Sequence, residues 1–190
     1  MERWAKKLVN ENGHKQIRLS VQRAETQTSV EIVPMLVRSS AGRRHVRWML
    51  LVITLMLAEY LRPYLRDFAP ELPIWAWYTL EVCVALGCTV IFAEIDFIQR
   101  LFIPDKDEVE AVDRRAFAEF TLSGIDHTKG RTGVLIFVSA LEHRAIVLAD
   151  RAIAERLPPE TWSRAVEYVI SGAKSGDLAH GFTQAIDEIT

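Results

Sequence analysis

Hydrophobic positions follow distinct rhythms along the chain. Between residues 12 and 28, Ile17, Val21 and Ala24 recur at i, i+4 and i+7 while Lys15, Arg18, Gln22 and Glu25 take the other side, which predicts an amphipathic helix. Residues 1–10 add a short amphipathic turn bearing Trp4, Leu8 and Val9. The Val- and Ile-rich stretch 29–38 predicts a strand, and Pro34, which has no N–H for the ladder, places it at a sheet edge or breaks it with a bulge. Residues 132–151 (TGVLIFVSALEHRAIVLADR) hold two β-rich runs, 134–139 and 145–148, around a charged bend at 141–144. They predict the buried antiparallel hairpin on which the remaining elements pack.

The rhythm disappears in the middle. Residues 46–65 and 74–93 are apolar on nearly all faces, and about twenty residues at about 1.5 Å each cross a hydrocarbon core of about 30 Å. A short turn containing Pro70 and Pro73 joins them, so a transmembrane helical hairpin is expected. Trp48, Tyr60, Tyr64, Trp75, Trp77 and Tyr78 stand where amphipathic aromatics favour the lipid interface. Position and the lack of a small-residue cleavage site argue against a removable signal peptide. Arg38, Arg43, Arg44 and Arg47 precede the first run and Arg100 and Lys106 follow the second, whereas the turn offsets Arg62 and Arg66 with Asp67 and Glu71. Both chain ends are therefore expected on the cytoplasmic side of the membrane.

Beyond the hairpin, Leu101–Pro104 forms a brief apolar exit. Asp105 or Asp107 then caps a helix to about Ser123, with Val109, Val112, Ala116, Phe117 and Phe120 inward. Pro158 and Pro159 open another with Trp162, Val166, Val169, Ile170 and Ala173 inward, ending near Gly176. Asp177 caps a last helix carrying Phe182, Ala185, Ile186 and Ile189. The resulting fold class is α/β, a small mixed β-sheet flanked by helices and interrupted by a two-helix transmembrane hairpin. One discontinuous cytoplasmic domain (residues 1–45 and 99–190) is expected around a hairpin at 46–98.

Charge and chemistry narrow the choices. The net charge of −2 leaves no basic surplus for nucleic acid. Cys83 and Cys88, at i and i+5 within the second apolar run, point about 140° apart on a helix and read as apolar residues rather than a disulfide or metal pair. Glu59 and Glu94 lie near span ends, where their carboxylates reach the headgroups. Glu81 lies deeper, and three fates remain for it: protonation, pairing with Arg62 across the hairpin, or contact with another subunit. The loop 124–133 carries Lys129 and Arg131 between glycines without the ending of a P-loop, and reads as a flexible basic loop. His14, His45, His127, His143 and His180 show no metal or triad spacing, and no serine sits in a nucleophile elbow.

Four segments in fixed order, residues 28–33 (TSVEIV), 128–139 (through RTGVLIFVS), 148–153 (LADRAI) and 176–182 (GDLAHGF), together resemble the TPM domain. The resemblance spans about residues 12–40 and 101–190, and is strongest to the bacterial branch in which a membrane hairpin splits the domain. It implies a small mixed sheet between helices. It also implies a possible acid-phosphatase-like hydrolase and a site for Ca²⁺ or another divalent cation built from Glu31, Asp150 and Asp177. The partner implied is a LemA-type membrane protein, while Glu81 within the span and the short anchor suggest a second copy. Two positions depart from the family pattern: Ala152 replaces a glycine, and His180 replaces an aspartate, trading a hard oxygen ligand for an imidazole. On the residues alone, Asp150 and Asp177 are equally well explained as helix caps and Glu31 as a strand-end charge. The expected role is a non-enzymatic, membrane-anchored module for partner binding or assembly, with a metal-dependent phosphatase as the alternative.

Overall fold

The structure is a computed structural model describing residues 3–40, 44–67, 71–92, 95, 105–125, 130 and 132–190. Glu94, Arg43, Arg100, Leu101–Pro104, Pro70, His127, Lys129 and Arg131 lie outside the described residues. The elements are α1 (Arg3–Leu8), α2 (Glu11–Gln27), β1 (Glu31–Val37), α3 (Arg44–Arg66), α4 (Ile74–Phe92), α5 (Asp105–Leu122), β2 (Gly133–Ser139), β3 (Arg144–Ala149), α6 (Arg151–Ala154), α7 (Pro159–Ser175) and α8 (Leu178–Ile189). They fall into two units, residues 1–40 with 109–190, and residues 41–108.

The first unit is a mixed α/β layer structure. Its sheet has the order β1-β2-β3, with β1 parallel to β2 and β3 antiparallel to it. Pro34 stands mid-strand opposite Ile136, and the register from Glu31↔Gly133 to Val37↔Ser139 runs without a bulge. An edge position tolerates this because the proline's missing donor costs no shared bond there. Every residue of β2 is buried, as the central strand requires, whereas the edge strand β3 is half-buried.

Alternation along the strands divides the core in two. Ile32, Val134, Ile136 and Val138 pack with Ile17 and Ala24 of α2, Ala165 and Val169 of α7, and Phe182, Ala185 and Ile186 of α8. Leu135 and Phe137 point the other way, onto Val112 and Ala116 of α5 and Ile125. Two inward faces differ from the sequence expectation. Phe117 is 60% exposed, because the stripe through Val112 and Ala116 already fills the contact and its neighbour at +100° turns outward. Ala173 is exposed, and the buried face of α7 runs through Thr161, Ala165, Val169 and Gly172 instead. That rotation follows from a close crossing of α7 and α8. A Cβ on Gly172 would lie 2.7 Å from the Gly181 Cα, and one on Gly181 would lie 2.7 Å from the Tyr168 carbonyl oxygen. Both positions admit only glycine.

In the second unit α3 and α4 form a helical pair. Both are long and apolar enough to cross a membrane, and only 6% and 11% of their apolar windows, Arg47–Arg66 and Ile74–Phe92, are buried. Met56, Trp75, Val90 and Ile91 are each at least 65% exposed. An ion pair lies between the two helices instead. The Arg62 guanidinium donates from Nε to Glu81 Oε1 and from Nη2 to Glu81 Oε2, both at 2.7 Å, with side-chain exposures of 13% and 12%. Arg62 also meets Glu59 and lies 4.1 Å from the centre of the Tyr78 ring. Glu59 is therefore held by Arg62, while its side chain remains 61% exposed. Cys83 is exposed and Cys88 half-buried, both as free thiols.

Candidate functional site

The two ends of β2, about 20 Å apart over seven residues, carry different chemistry. At its amino end the chain brings Glu31 and Asp150 to either side of Gly133. The Glu31 N–H donates to the Thr132 carbonyl (3.1 Å) and the Asp150 N–H to the Gly133 carbonyl (2.8 Å). Gly133 is fixed by crowding, since a Cβ there would stand 2.4 Å from the Ile125 carbonyl oxygen. Glu31 is exposed. Asp150 caps α6, its Oδ1 accepting from the Arg151 N–H at 2.6 Å, while its Oδ2 is buried with no hydrogen-bond partner.

Asp177 and His180 lie elsewhere. Asp177 caps α8 by accepting from the His180 N–H at 3.0 Å, and it lines a polar recess with Asn10 and Gly13. Its neighbour Leu178 meets Val138 and Ser139 in a shared cavity, which places this turn toward the carboxyl end of β2. Glu31 and Asp150 are thus brought to one end of the sheet and Asp177 and His180 are not. Among the described residues no group of three or more His, Cys, Asp or Glu side chains converges on one point. A hard cation such as Ca²⁺ takes six to eight oxygen ligands. The orphaned Asp150 oxygen and an exposed Glu31 do not fit that requirement.

The carboxyl end holds a network that the sequence pattern hides. Ala140–His143 turn between β2 and β3, with His143 at φ 51°, and Glu142, part of the charged bend, is only 5% exposed. Its Oε1 accepts from Ser39 Oγ (2.6 Å) and the Ser40 N–H (3.2 Å), and its Oε2 from Ser139 Oγ (2.5 Å). Ser40 and Ser139 share a further hydroxyl hydrogen bond at 2.8 Å, and Arg115 donates to the Ser39 carbonyl at 2.7 Å. Charge-assisted bonds of this kind are stronger than neutral ones. They fasten residues 39–40, the last of the first unit before the chain enters the second, to the hairpin turn. The signal available in the sequence was serine at the end of one parallel strand, Ser139, and just past the end of the other, Ser39 and Ser40, with a glutamate three residues beyond Ser139.

Beside this network, a cavity of about 360 Å³ opens between the carboxyl ends of β1 and β2, the start of β3, and α7. Leu36, Val138, Val169, Ile170 and Leu178 make its apolar wall.

A mixed three-stranded sheet between helices, with an apolar helical pair inserted after its first strand, defines a small α/β class. The family model for the TPM domain matches residues 97–190, and the chain carries a TPM domain there. The matched residues contain β2, β3 and α5–α8, while the edge strand β1 and helix α2 of the same unit come from before the apolar pair. Among solved structures, the NMR structure of the BA42 protein from the psychrophilic bacterium Bizionia argentinensis superposes with a TM-score of 0.54 at 16% identity, covering 95% of this chain and 78% of that one. At this identity the likeness is one of fold. No curated protein matches the sequence.

Proposed function

We propose that this is a membrane-anchored TPM-domain protein. Its apolar helical pair crosses a bacterial inner membrane, and its α/β unit works on the cytoplasmic face as a non-enzymatic module for binding a partner or building an assembly. The observation that supports the reading is the inverted burial of α3 and α4: apolar side chains outward, and the Arg62–Glu81 pair inward. In water an apolar surface of that extent requires a cover, and lipid supplies one. A buried core helix in a soluble protein shows the opposite burial, and the first apolar window begins at Arg47, far from the place of a signal sequence. Within hydrocarbon an ionised carboxylate is costly without a partner, and a bidentate guanidinium is the most complete partner available to Glu81. The flanking Arg38, Arg47 and Lys106 set the orientation. The partners that fit are a second copy of the chain or another membrane protein, such as one of the LemA type, meeting the hairpin or the α/β unit.

Labelling with a membrane-impermeant maleimide tests the topology. In cells expressing a variant with Cys83 and Cys88 replaced by serine, Glu71→Cys reacts from outside and Ser175→Cys only after permeabilisation. Equal reactivity at both positions, or recovery of the protein in the soluble fraction, contradicts the reading. Crosslinking in native membranes then separates an assembly, which gives a discrete higher-mass band, from a lone anchor.

A further inference from the structure

The cavity at the carboxyl ends of β1 and β2 combines an apolar wall with a basic mouth, and nothing in the anchoring role uses it. Its volume of about 360 Å³ falls near the lower end of the range for small-molecule sites, about 300–1,000 Å³, which suits one acyl chain and not two. It sits where ligands bind in open α/β sheets, outside the carboxyl ends of parallel strands. The polar lining is one-sided in charge. Among the described residues that line it, Arg144 and Lys174 carry charge and no carboxylate is present. Among the described residues neither Arg144 nor Lys174 takes part in an ion pair, although exposed basic residues elsewhere, Arg151 and Arg164, are paired with Glu155 and Glu188. The neighbouring carboxylate, Glu142, is occupied by Ser39, Ser40 and Ser139. Ala173, which an amphipathic reading of α7 turns inward, instead lines this opening.

We propose that the cavity binds a single-chain fatty carboxylate, its alkyl chain against Leu36, Val169, Ile170 and Leu178 and its carboxylate at the mouth beside Arg144 and Lys174. An apolar wall alone would accept any hydrocarbon; the unpaired cations select for an anion. Each buried methylene tightens binding about four-fold, and the partly solvated charge pair adds discrimination against the neutral alcohol of the same length.

The test is equilibrium dialysis of radiolabelled dodecanoate against the full-length protein held in peptidiscs. The expected result is saturable binding of one dodecanoate per chain, displaced by unlabelled dodecanoate but not by inorganic phosphate, and displaced poorly by dodecanol. Arg144→Glu with Lys174→Glu weakens it about ten-fold, the scale of a reversed, partly exposed charge interaction. Ala173→Trp, which fills the opening, abolishes it while the thermal midpoint is kept. Because the charge reversals alter solvent-accessible side chains, they report even where the tryptophan variant fails to fold. Absence of saturable binding overturns the proposal, as does equal displacement by dodecanol, or binding unchanged in the charge-reversed protein. Binding that survives in a folded Ala173→Trp places the fatty acid on the apolar helices and also overturns it. None of these outcomes depends on the labelling topology, so the anchoring reading and this one fail separately.

Discussion

The two units of this chain solve burial in opposite senses. In the α/β unit the central strand is fully buried, Val112, Phe137 and Val169 are 0% exposed, and the one charged side chain buried among its described residues, Glu142, is held by serines. In the helical pair Met56 is 70% and Val90 72% exposed, and the charges of Arg62 and Glu81 are turned inward. The same physics drives both. Apolar groups leave water wherever another apolar phase exists, and ions keep a partner wherever water is absent. The first unit makes its own apolar phase from sheet and helices, and on the proposed reading the second takes one from the bilayer.

The largest expected effects separate the units directly. Phe182→Ala removes a 2%-exposed ring from the contact of α8 with the sheet and costs about 3–5 kcal/mol of stability, whereas Met56→Ala on the outward face of α3 stays within about 0.5 kcal/mol. Chemical denaturation of the detergent-solubilised protein reads both, and comparable losses would erase the distinction. Within the helical pair, Glu81→Leu alone takes the bidentate acceptor from a guanidinium left with only the exposed Glu59, and lowers the melting midpoint more than Glu81→Leu combined with Arg62→Leu. A double variant less stable than either single one would show that the two residues do not act as a pair.

Smaller effects sharpen the contrast between the two ends of the sheet. Glu142→Ala leaves three donors without their acceptor and costs about 3 kcal/mol, with enhanced amide exchange over residues 38–40 as its local signature. Asp150→Ala loses the cap on α6 and costs about 1 kcal/mol. Asp150→Asn keeps the cap and removes the charge from the unpartnered buried position, so it costs less than Asp150→Ala. A raised midpoint in millimolar Ca²⁺, abolished by both Asp150 variants, would instead make Asp150 part of a cation site. Smallest of all, Phe117→Ser changes stability by no more than about 0.5 kcal/mol, because the ring is already in solvent.

Long, strongly patterned segments were legible in the sequence. The two apolar helices, the edge strand with Pro34, the central hairpin and the buried face of α8 all follow from local period and from the chemistry of proline. Faces were less secure. Phe117 and Ala173 satisfy a helical period, yet the choice among adjacent stripes is made by what packs opposite. For α7 that choice was made by Gly172 and Gly181 meeting from separate helices. The candidate sites were least legible. Glu142 sits in a bend that looks merely charged until two strands bring Ser39, Ser40 and Ser139 around it. The motif that groups Asp150 with Asp177 and His180 says nothing of the length of β2, which lies between their two ends of the sheet. The cavity has no sequence signature, since its wall is ordinary core and its mouth is ordinary surface.

The central claim is that equal exposure means different surroundings in the two units. Spin labels at Ile91 on α4 and Leu122 on α5, 65% and 82% exposed, test it in protein reconstituted into bilayers. Accessibility to oxygen, which concentrates in hydrocarbon, is compared with accessibility to a polar nickel complex. The account predicts that oxygen dominates at Ile91 and the nickel complex at Leu122. Nickel-dominated relaxation at both positions would contradict it and place the helical pair in water.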